Sequence, residues 1–591
     1  MFKKIRKNFF FQSRITLLPF KKDIKKYNLS FFKDDIIASF SVALLALPQS
    51  IAYSLLANLP PQAGIFSAIF GSIFTGVFGS SKHLVAGPST GVSILIQTTI
   101  LGILNTYYPN VIGLQRDNLV IMLLMQIVLL IGIFQIFLAL FNLGKILQFV
   151  SRSVILGYFA GVSVAIVVNQ LYYLFGLSIN HESSLVFFKI FKLFTHILDT
   201  NLLSLAIGLL SIVLLIFFKL KFKKMPGSII TIALITIVVF FLNPLVSKNF
   251  KILRLVDLGM ESISKFKLTL PAFDIKMINF LIFPSLAIAL LSILEVTSIS
   301  KNLSAKNGQK IRSNQEIFSV GISNLILSFF SIALPVSGSV SRSTLNYEYK
   351  AKTRFSSVYS GLFVAIIIFF LWPLVKLIPL SALAAILIVM VPTIIEPKHI
   401  KLCFRATKGD GFVFSLTMIS CLIFSLDIAF FIGIVISILF YLKRAAVPHL
   451  VEYAFDSSGR LIVISPNKLM HRKVRIIGIS GELFFAAVEL VQNTIRKVMK
   501  DPFVEVIILR LNRVYHVDAS MCFAILRLYD YLKTTSRYLI ISGVTEEVWQ
   551  IFENAGVVKQ LGSENIFTTQ ETNPQLSTWR AAMRAKDLLE E

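Results

Sequence analysis

The chain has 591 residues, of which 55% are hydrophobic and only 15% charged, with 58 Lys+Arg against 31 Asp+Glu for a formal net charge of +27. Soluble domains run near a quarter charged, so a water-soluble multidomain enzyme is excluded. In a soluble protein the basic excess would suggest nucleic acid. Here the cations cluster between apolar runs, as they do where membrane proteins orient themselves, and no nucleic-acid partner is expected. Cys403, Cys421 and Cys522 have no paired spacing and imply neither a disulfide framework nor a zinc site.

Segment 1–33 is basic, lacks an apolar stretch long enough for a signal peptide, and reads as a cytoplasmic arm on anionic lipid. A helix crosses a bilayer in about 20 apolar residues. The apolar runs of 34–445 predict about fourteen crossings: 35–57, 62–79, 84–104, 119–140, 146–175, 201–218, 227–243, 283–300, 314–333, 335–349, 356–375, 379–395, 411–425 and 428–444. The third and tenth carry small, polar residues where a crossing helix is most apolar. With the arm inside, the inner loops hold Lys82; Lys145; Lys219, Lys221, Lys223 and Lys224; Lys301, Lys306, Lys310 and Arg312; Lys350, Lys352 and Arg354; Lys398, Lys401, Arg405 and Lys408; and Lys443 and Arg444. The short outer loops hold few charges or balanced ones, as the positive-inside rule requires. The stretch 244–282 departs from it, with Lys248, Lys251, Arg254, Lys265, Lys267 and Lys276 outside. An even count puts both termini in the cytoplasm of a multi-pass protein of the cell (inner) membrane. Asp34 and Asp35 are expected to cap the first span and Asp427 the last; His83, beside Lys82 in a cytoplasmic loop, reads as an interface residue rather than a ligand.

From about residue 450 the composition turns soluble. Strand-like runs at 460–465, 473–480, 504–511 and 537–542 alternate with helical runs near 486–499, 519–534 and 545–555. This predicts a small cytoplasmic α/β domain over 450–570, followed by a tail at 571–591.

The membrane part repeats itself. ALLALPQSIAYS (43–54) overlays ALLSILEVTSIS (289–300), placing Gln49 on Glu295. Some way on, each half has a Gly/Ser/Pro-rich break, LVAGPSTGVS (84–93) and LPVSGSVSRS (334–343). Seven spans per half make the repeats inverted, the plan of secondary transporters, whose site lies at the repeat interface. Gly87-Pro88 and Gly338 interrupt helix continuity, and irregular backbone at membrane depth persists only where it is buried or faces a water-filled cavity. A helix starting at each break presents free N–H groups and the positive end of its dipole, a backbone-built anion site. Glu295 lies inside an apolar run, where a carboxylate is either paired or protonated.

Residues 34–95 (DDIIASFSVALLALPQSIAYS…FGSSKHLVAGPSTGVSIL) and 335–354 (PVSGSVSRSTLNYEYKAKTR) resemble the SulP family of anion transporters, and HVDASMCFAI (516–525) resembles the signature of that family's STAS domain. The resemblance implies a polytopic α-helical membrane protein of seven-plus-seven inverted repeats, forming core and gate subdomains, usually a homodimer, with a cytoplasmic STAS domain. It implies a secondary active transporter of a small anion, not an enzyme, with a substrate site of Gln49, Tyr53, Ser89, Thr90, Ser339, Ser341 and Arg342; Gly87 and Gly338 come from the breaks. Glu295 is the expected carrier of a coupling proton. Some family members bind sodium beside an Asp on the eighth span. Here Glu295 takes that place, and Ile299 stands where a hydroxyl would help, which argues against sodium. Ala519, not serine, follows Asp518, which argues against a phosphorylation switch and favours dimerisation, regulation or a cytosolic protein partner for the STAS domain. No Walker A, HExxH, GxSxG or Rossmann fingerprint stands out, so neither cofactor nor metal is expected. The leading expectation is sulfate:proton symport. Bicarbonate or C4-dicarboxylate transport, anion exchange, and a membrane-tethered STAS signalling protein are the alternatives.

Overall fold

The computed structural model describes residues 15–24, 27–142, 150–177, 185–222, 226–245, 251–258, 268–271, 274–395, 397–456, 459–464, 472–570, 573 and 575–590. The first fourteen residues of the basic arm, and Lys145, Lys223, Lys224, Lys248, Lys265 and Lys267 of the charge pattern, lie outside them. The chain forms two compact units that meet at Ser437–Ile438.

The first unit is helical. Its elements are α1 (Leu29–Leu56), α2 (Pro61–Phe78), β1 (Ala86–Gly87), α3 (Thr90–Tyr107), α4 (Gly113–Leu140), α5 (Arg152–Leu174), α6 (Val186–Thr195), α7 (Leu202–Lys221) and α8 (Gly227–Leu242). The second half follows with α9 (Ile275–Asn307), α10 (Ser313–Leu327), β2 (Ser337–Gly338), α11 (Val340–Glu348), α12 (Phe355–Val375), α13 (Leu380–Ile394), α14 (Pro397–Ala406), α15 (Lys408–Ile423) and α16 (Leu426–Ala445). Every expected span contains a helix. Among the described residues, ten helices are long and apolar enough to cross a membrane; α3, α10, α11 and α15 are not among them, so a count of fourteen full crossings is not confirmed. The third and tenth segments are each a two-residue strand followed by a helix. The short α6 and α14 were not read from the sequence.

Helix caps correct two expectations. The Asn28 side chain accepts from Phe31 N (2.8 Å), so α1 starts at Leu29. Asp34 and Asp35 therefore sit inside α1 and do not cap it. Asp35, fully buried, accepts instead from Lys352 N (2.7 Å), Thr353 N (3.1 Å) and Thr353 Oγ1 (2.5 Å). Asp427 lies in the first turn of α16, where its charge meets the positive end of the dipole, rather than at the cap. The arm is not wholly free either: Thr16 N donates to Gln315 Oε1 (2.8 Å).

The helices sort into two packed sets. In one, α4 packs on α9 and α10, α2 on α10, and α12 on α1 and α2; in the other, α13 packs on α5 and α7, α15 on α5, and α8 on α7. Each half of the chain gives its first helices to one set and its later helices to the other, as core and gate subdomains of an inverted repeat do. Close approach within the core set needs glycine. A Cβ on Gly132 of α4 would lie 2.6 Å from Leu325 N of α10, the small-residue packing of membrane helices. Beside it, Asn324 Nδ2 donates to Gln135 Oε1 (2.8 Å).

The second unit is a six-stranded sheet in the order β4-β3-β5-β6-β7-β8. Its strands are β3 (His449–Phe455), β4 (Leu461–Val463), β5 (Val474–Ser480), β6 (Val506–Arg513), β7 (Tyr538–Val544) and β8 (Ile566–Thr568). The strands β5 to β8 are parallel, joined through α17 (Val488–Met499), α18 (Ala519–Thr534), and α19 (Glu546–Asn554) with α20 (Val557–Leu561). The expected tail folds as α21 (Leu576–Glu590), which buries Ala581 and Ala585 against Ile476, Val506, Ile508 and Ile540 of the sheet. Asp518 caps α18, accepting from Met521 N (2.9 Å) and Phe485 N (2.7 Å).

Candidate functional site

The breaks meet. β1 pairs antiparallel with β2, Ala86 opposite Gly338 and Gly87 opposite Ser337. Side chains of neighbouring helices hold this crossing: Ser72 Oγ donates to Ala86 O (2.9 Å), Ser67 Oγ to Leu334 O (2.7 Å), and Asn324 Oδ1 accepts from Val336 N (2.7 Å). The helices α3 and α11 then leave the crossing, each capped by a serine: Ser89 Oγ accepts from Val92 N and Ser339 Oγ from Arg342 N. The N–H groups of Thr90, Gly91, Val340 and Ser341 carry no hydrogen bond to protein among the described residues.

Those first turns line one cavity of about 1800 Å³. Gln49, Tyr53, Ser89, Thr90, Glu295, Gly338, Ser339 and Ser341 all lie on its wall. Eight of the ten expected site residues are thus brought together from α1, α3, α9 and α11. Ile299, the residue read as arguing against sodium, lines the same wall. The cavity also reaches Arg152, Lys219, Lys301, Lys310 and Arg312, a cationic mouth supplied by both helix sets.

Gly87 and Arg342 are not on the wall. Arg342 is fully buried behind it. Its Nε donates to Gln49 Oε1 (3.4 Å) and its Nη2 to Ser50 Oγ (3.2 Å), while Nη1 lies over Gly87 with no hydrogen-bond partner among the described residues. A guanidinium only donates, so Gln49 must turn its oxygen toward Arg342. Its NH₂ is left for the cavity side, where it reaches Ser341 Oγ (3.4 Å). Arg342 thus sets the donor face of Gln49 and adds a full positive charge behind the two helix starts. No Arg342–Glu295 ion pair occurs among the described residues; Glu295 instead accepts from Ser337 Oγ (2.5 Å), within the β2 strand.

Two buried carboxylates anchor loops: Asp35, which the sequence reading took for a cap, and Glu316, which it missed. Besides Asp35, Glu316 accepts from Ser80 N (2.7 Å), Ser80 Oγ (2.5 Å) and Ser81 N (2.7 Å). The signal available was an acid in the first turn of α10, ordinary by itself. His83 is held between elements: Ala351 O lies 3.0 Å from its Nε2, Asn307 Nδ2 lies 3.0 Å from its Nδ1, and Tyr347 meets the ring edge-on.

Two broken helices aiming unpaired amides into one cavity, inside an inverted repeat, define a membrane transporter rather than an enzyme. Residues 32–417 match the sulfate permease family and residues 465–573 the STAS domain. The chain belongs to the sulfate permease family, and it is an anion transporter. It is 29% identical to the probable sulfate transporter 4.2 of Arabidopsis thaliana over 95% of this chain and 84% of that one. It is 27% identical to the sodium-independent sulfate anion transporter of Bos taurus over 77% of this chain and 76% of that one. The murine Slc26a9 anion transporter in the inward-facing state shares the fold with a TM-score of 0.85 at 21% identity, over 97% of this chain and 94% of that one.

Proposed function

We propose that the protein carries sulfate together with a proton, with its cationic mouth and both termini in the cytoplasm. The observation that carries this reading is the charge inventory of the site. Each helix start is worth about half a positive charge, so α3 and α11 supply about one unit, and Arg342 supplies another. That total of about +2 matches a sulfate dianion only while Glu295 is neutral. With Glu295 ionised the balance falls to about +1, which suits a monoanion such as bicarbonate. Protonation of Glu295 therefore selects the dianion and makes the proton travel with it. The names of the Arabidopsis and bovine relatives support sulfate as the dianion, and Ile299 leaves the place of a sodium ligand apolar.

The test uses purified protein in liposomes. Labelled sulfate uptake should rise with an inward proton gradient, and Glu295→Gln should keep sulfate exchange while losing its dependence on that gradient. Gradient-driven uptake persisting in Glu295→Gln would refute the coupling role. Counterflow with bicarbonate, succinate and chloride in the same vesicles separates the substrate readings; if only monoanions exchange, sulfate is wrong.

A further inference from the structure

On the side of the site away from the cationic mouth, four polar side chains run in series. Lys189 Nζ donates to Asn169 Oδ1 (2.9 Å), Asn169 Nδ2 to Gln97 Oε1 (3.1 Å), and Gln97 Nε2 to Asn58 Oδ1 (2.9 Å). The direction of this chain is set at one end. An ammonium has no acceptor, so Asn169 must present its oxygen to Lys189 and its NH₂ to Gln97. Gln97 is then forced to give its own NH₂ to Asn58.

The chain crosses the boundary between the two helix sets. Asn58 follows α1 and Gln97 lies on α3, both in the core set. Asn169 lies on α5 in the gate set, and Lys189 lies on α6, which packs on α5. Tyr172 Oη donates to Lys189 O (2.6 Å), tying α6 to α5. The cavity wall includes Thr90 on α3 and Val162 on α5. Gln97 and Asn169 each come seven residues later, about 10 Å further along their helices. The Gln97–Asn169 bond therefore joins core to gate beyond the cavity wall, on its far side.

Lys189 is only 9% exposed. Among the described residues its ammonium donates to the Asn169 amide alone, and no carboxylate lies within ion-pair distance. Burying an ammonium without a counter-charge is unfavourable, and that burial pulls its pKa down to about 8. A glutamine would tie the helices together without that cost. The charge therefore points to a negative partner in another state of the molecule.

We propose that Asn58, Gln97, Asn169 and Lys189 form a clasp between core and gate that parts during transport, and that the freed Lys189 ammonium is then the entry contact for a small oxyanion on the far side. This rests on the transport reading above. In a background lacking Cys403, Cys421 and Cys522, Gln97→Cys and Asn169→Cys are joined by a short, reducible bifunctional thiol reagent. Counterflow of labelled sulfate should fall at least about tenfold on cross-linking and return on reduction; undiminished counterflow in the cross-linked protein overturns the clasp. Lys189→Gln should raise the far-side KM for sulfate about tenfold with the mouth-side KM unchanged, and Lys189→Arg should restore it. Equal changes on both sides, or none, overturn the entry contact. Lys189→Met replaces Lys189→Gln if the latter does not fold. If the unlinked protein exchanges a different anion and not sulfate, the substrate reading fails alone, and both arms are read with that anion.

Discussion

Gly87→Ala probes the link between the buried arginine and the cavity. A Cβ at Gly87 would lie 2.1 Å from Nη1 and 3.3 Å from Cζ of Arg342. The backbone of Ala68 stands 3.6 Å away, so the methyl has no slack of its own and the guanidinium must withdraw. Withdrawal breaks the bonds to Gln49 (3.4 Å) and Ser50 (3.2 Å). A hydrogen bond to a charged group contributes about 1.5–3 kcal/mol. At about 1.4 kcal/mol per factor of ten, losing the orientation of Gln49 should raise the KM for sulfate roughly ten- to hundredfold. Added crowding costs about 1–3 kcal/mol in a packed interior, so the variant should still fold. The assay is sulfate counterflow in liposomes, with thermal unfolding of the same preparation. Gly102→Ala on α3, the helix that follows β1, is the control, because nothing lies within 4 Å of the added atom. A Gly87→Ala protein with wild-type KM would show that Arg342 does not act through Gln49.

Glu316→Ala strands three donors of Ser80 and Ser81; at about 1–3 kcal/mol for each unsatisfied group, the membrane unit should lose several degrees of thermal stability, and an unchanged melting curve would contradict the anchoring role. Asp518→Ala removes the cap of α18, worth about 0.5–2 kcal/mol, and hydrogen exchange at Phe485 and Met521 should speed several-fold in the full chain while α17 stays protected. His83 lies in the loop after α2, where burial pushes its imidazole below the usual 6.5. Only the neutral ring accepts from Asn307, so its contribution is full above about 6.5 and is lost as pH falls through the lowered folded value. The wild-type melting temperature should therefore drop between pH 7 and 5 by more than that of His83→Gln; parallel curves would show that His83 does not titrate in this contact.

Much of the site was legible because its signals are local in sequence. Small residues and proline at 84–93 and 334–343 mark broken helices whatever surrounds them. The alignment of Gln49 with Glu295 follows from an internal repeat, and both reach the same wall. What stayed hidden depends on pairs far apart in the chain. Asp35 resembles a cap when read beside an apolar run; only the fold shows that Asn28 caps the helix and that Asp35 serves residues 352 and 353. Arg342 and Ser341 are neighbours in sequence, yet about 100° of helical rotation separates them. One therefore faces the cavity and the other faces the rear, and no pattern in the sequence says which. Lys189 carries no signal of its own in the sequence, because its partners sit on α5 and, through Asn169, on α3. The tail escaped because a helix made for one face of a sheet is visible only once that face exists.

The four-residue ladder at Ala86–Gly87 and Ser337–Gly338 yokes two otherwise independent half-helices into a single rigid cradle. Whatever displaces one must carry its twin, so the two helix starts keep their spacing while the surrounding scaffold shifts. Changes to the choice of ion and changes to the speed of delivery should then be separable genetically, the first mapping to the cradle and the second to the surfaces it slides against.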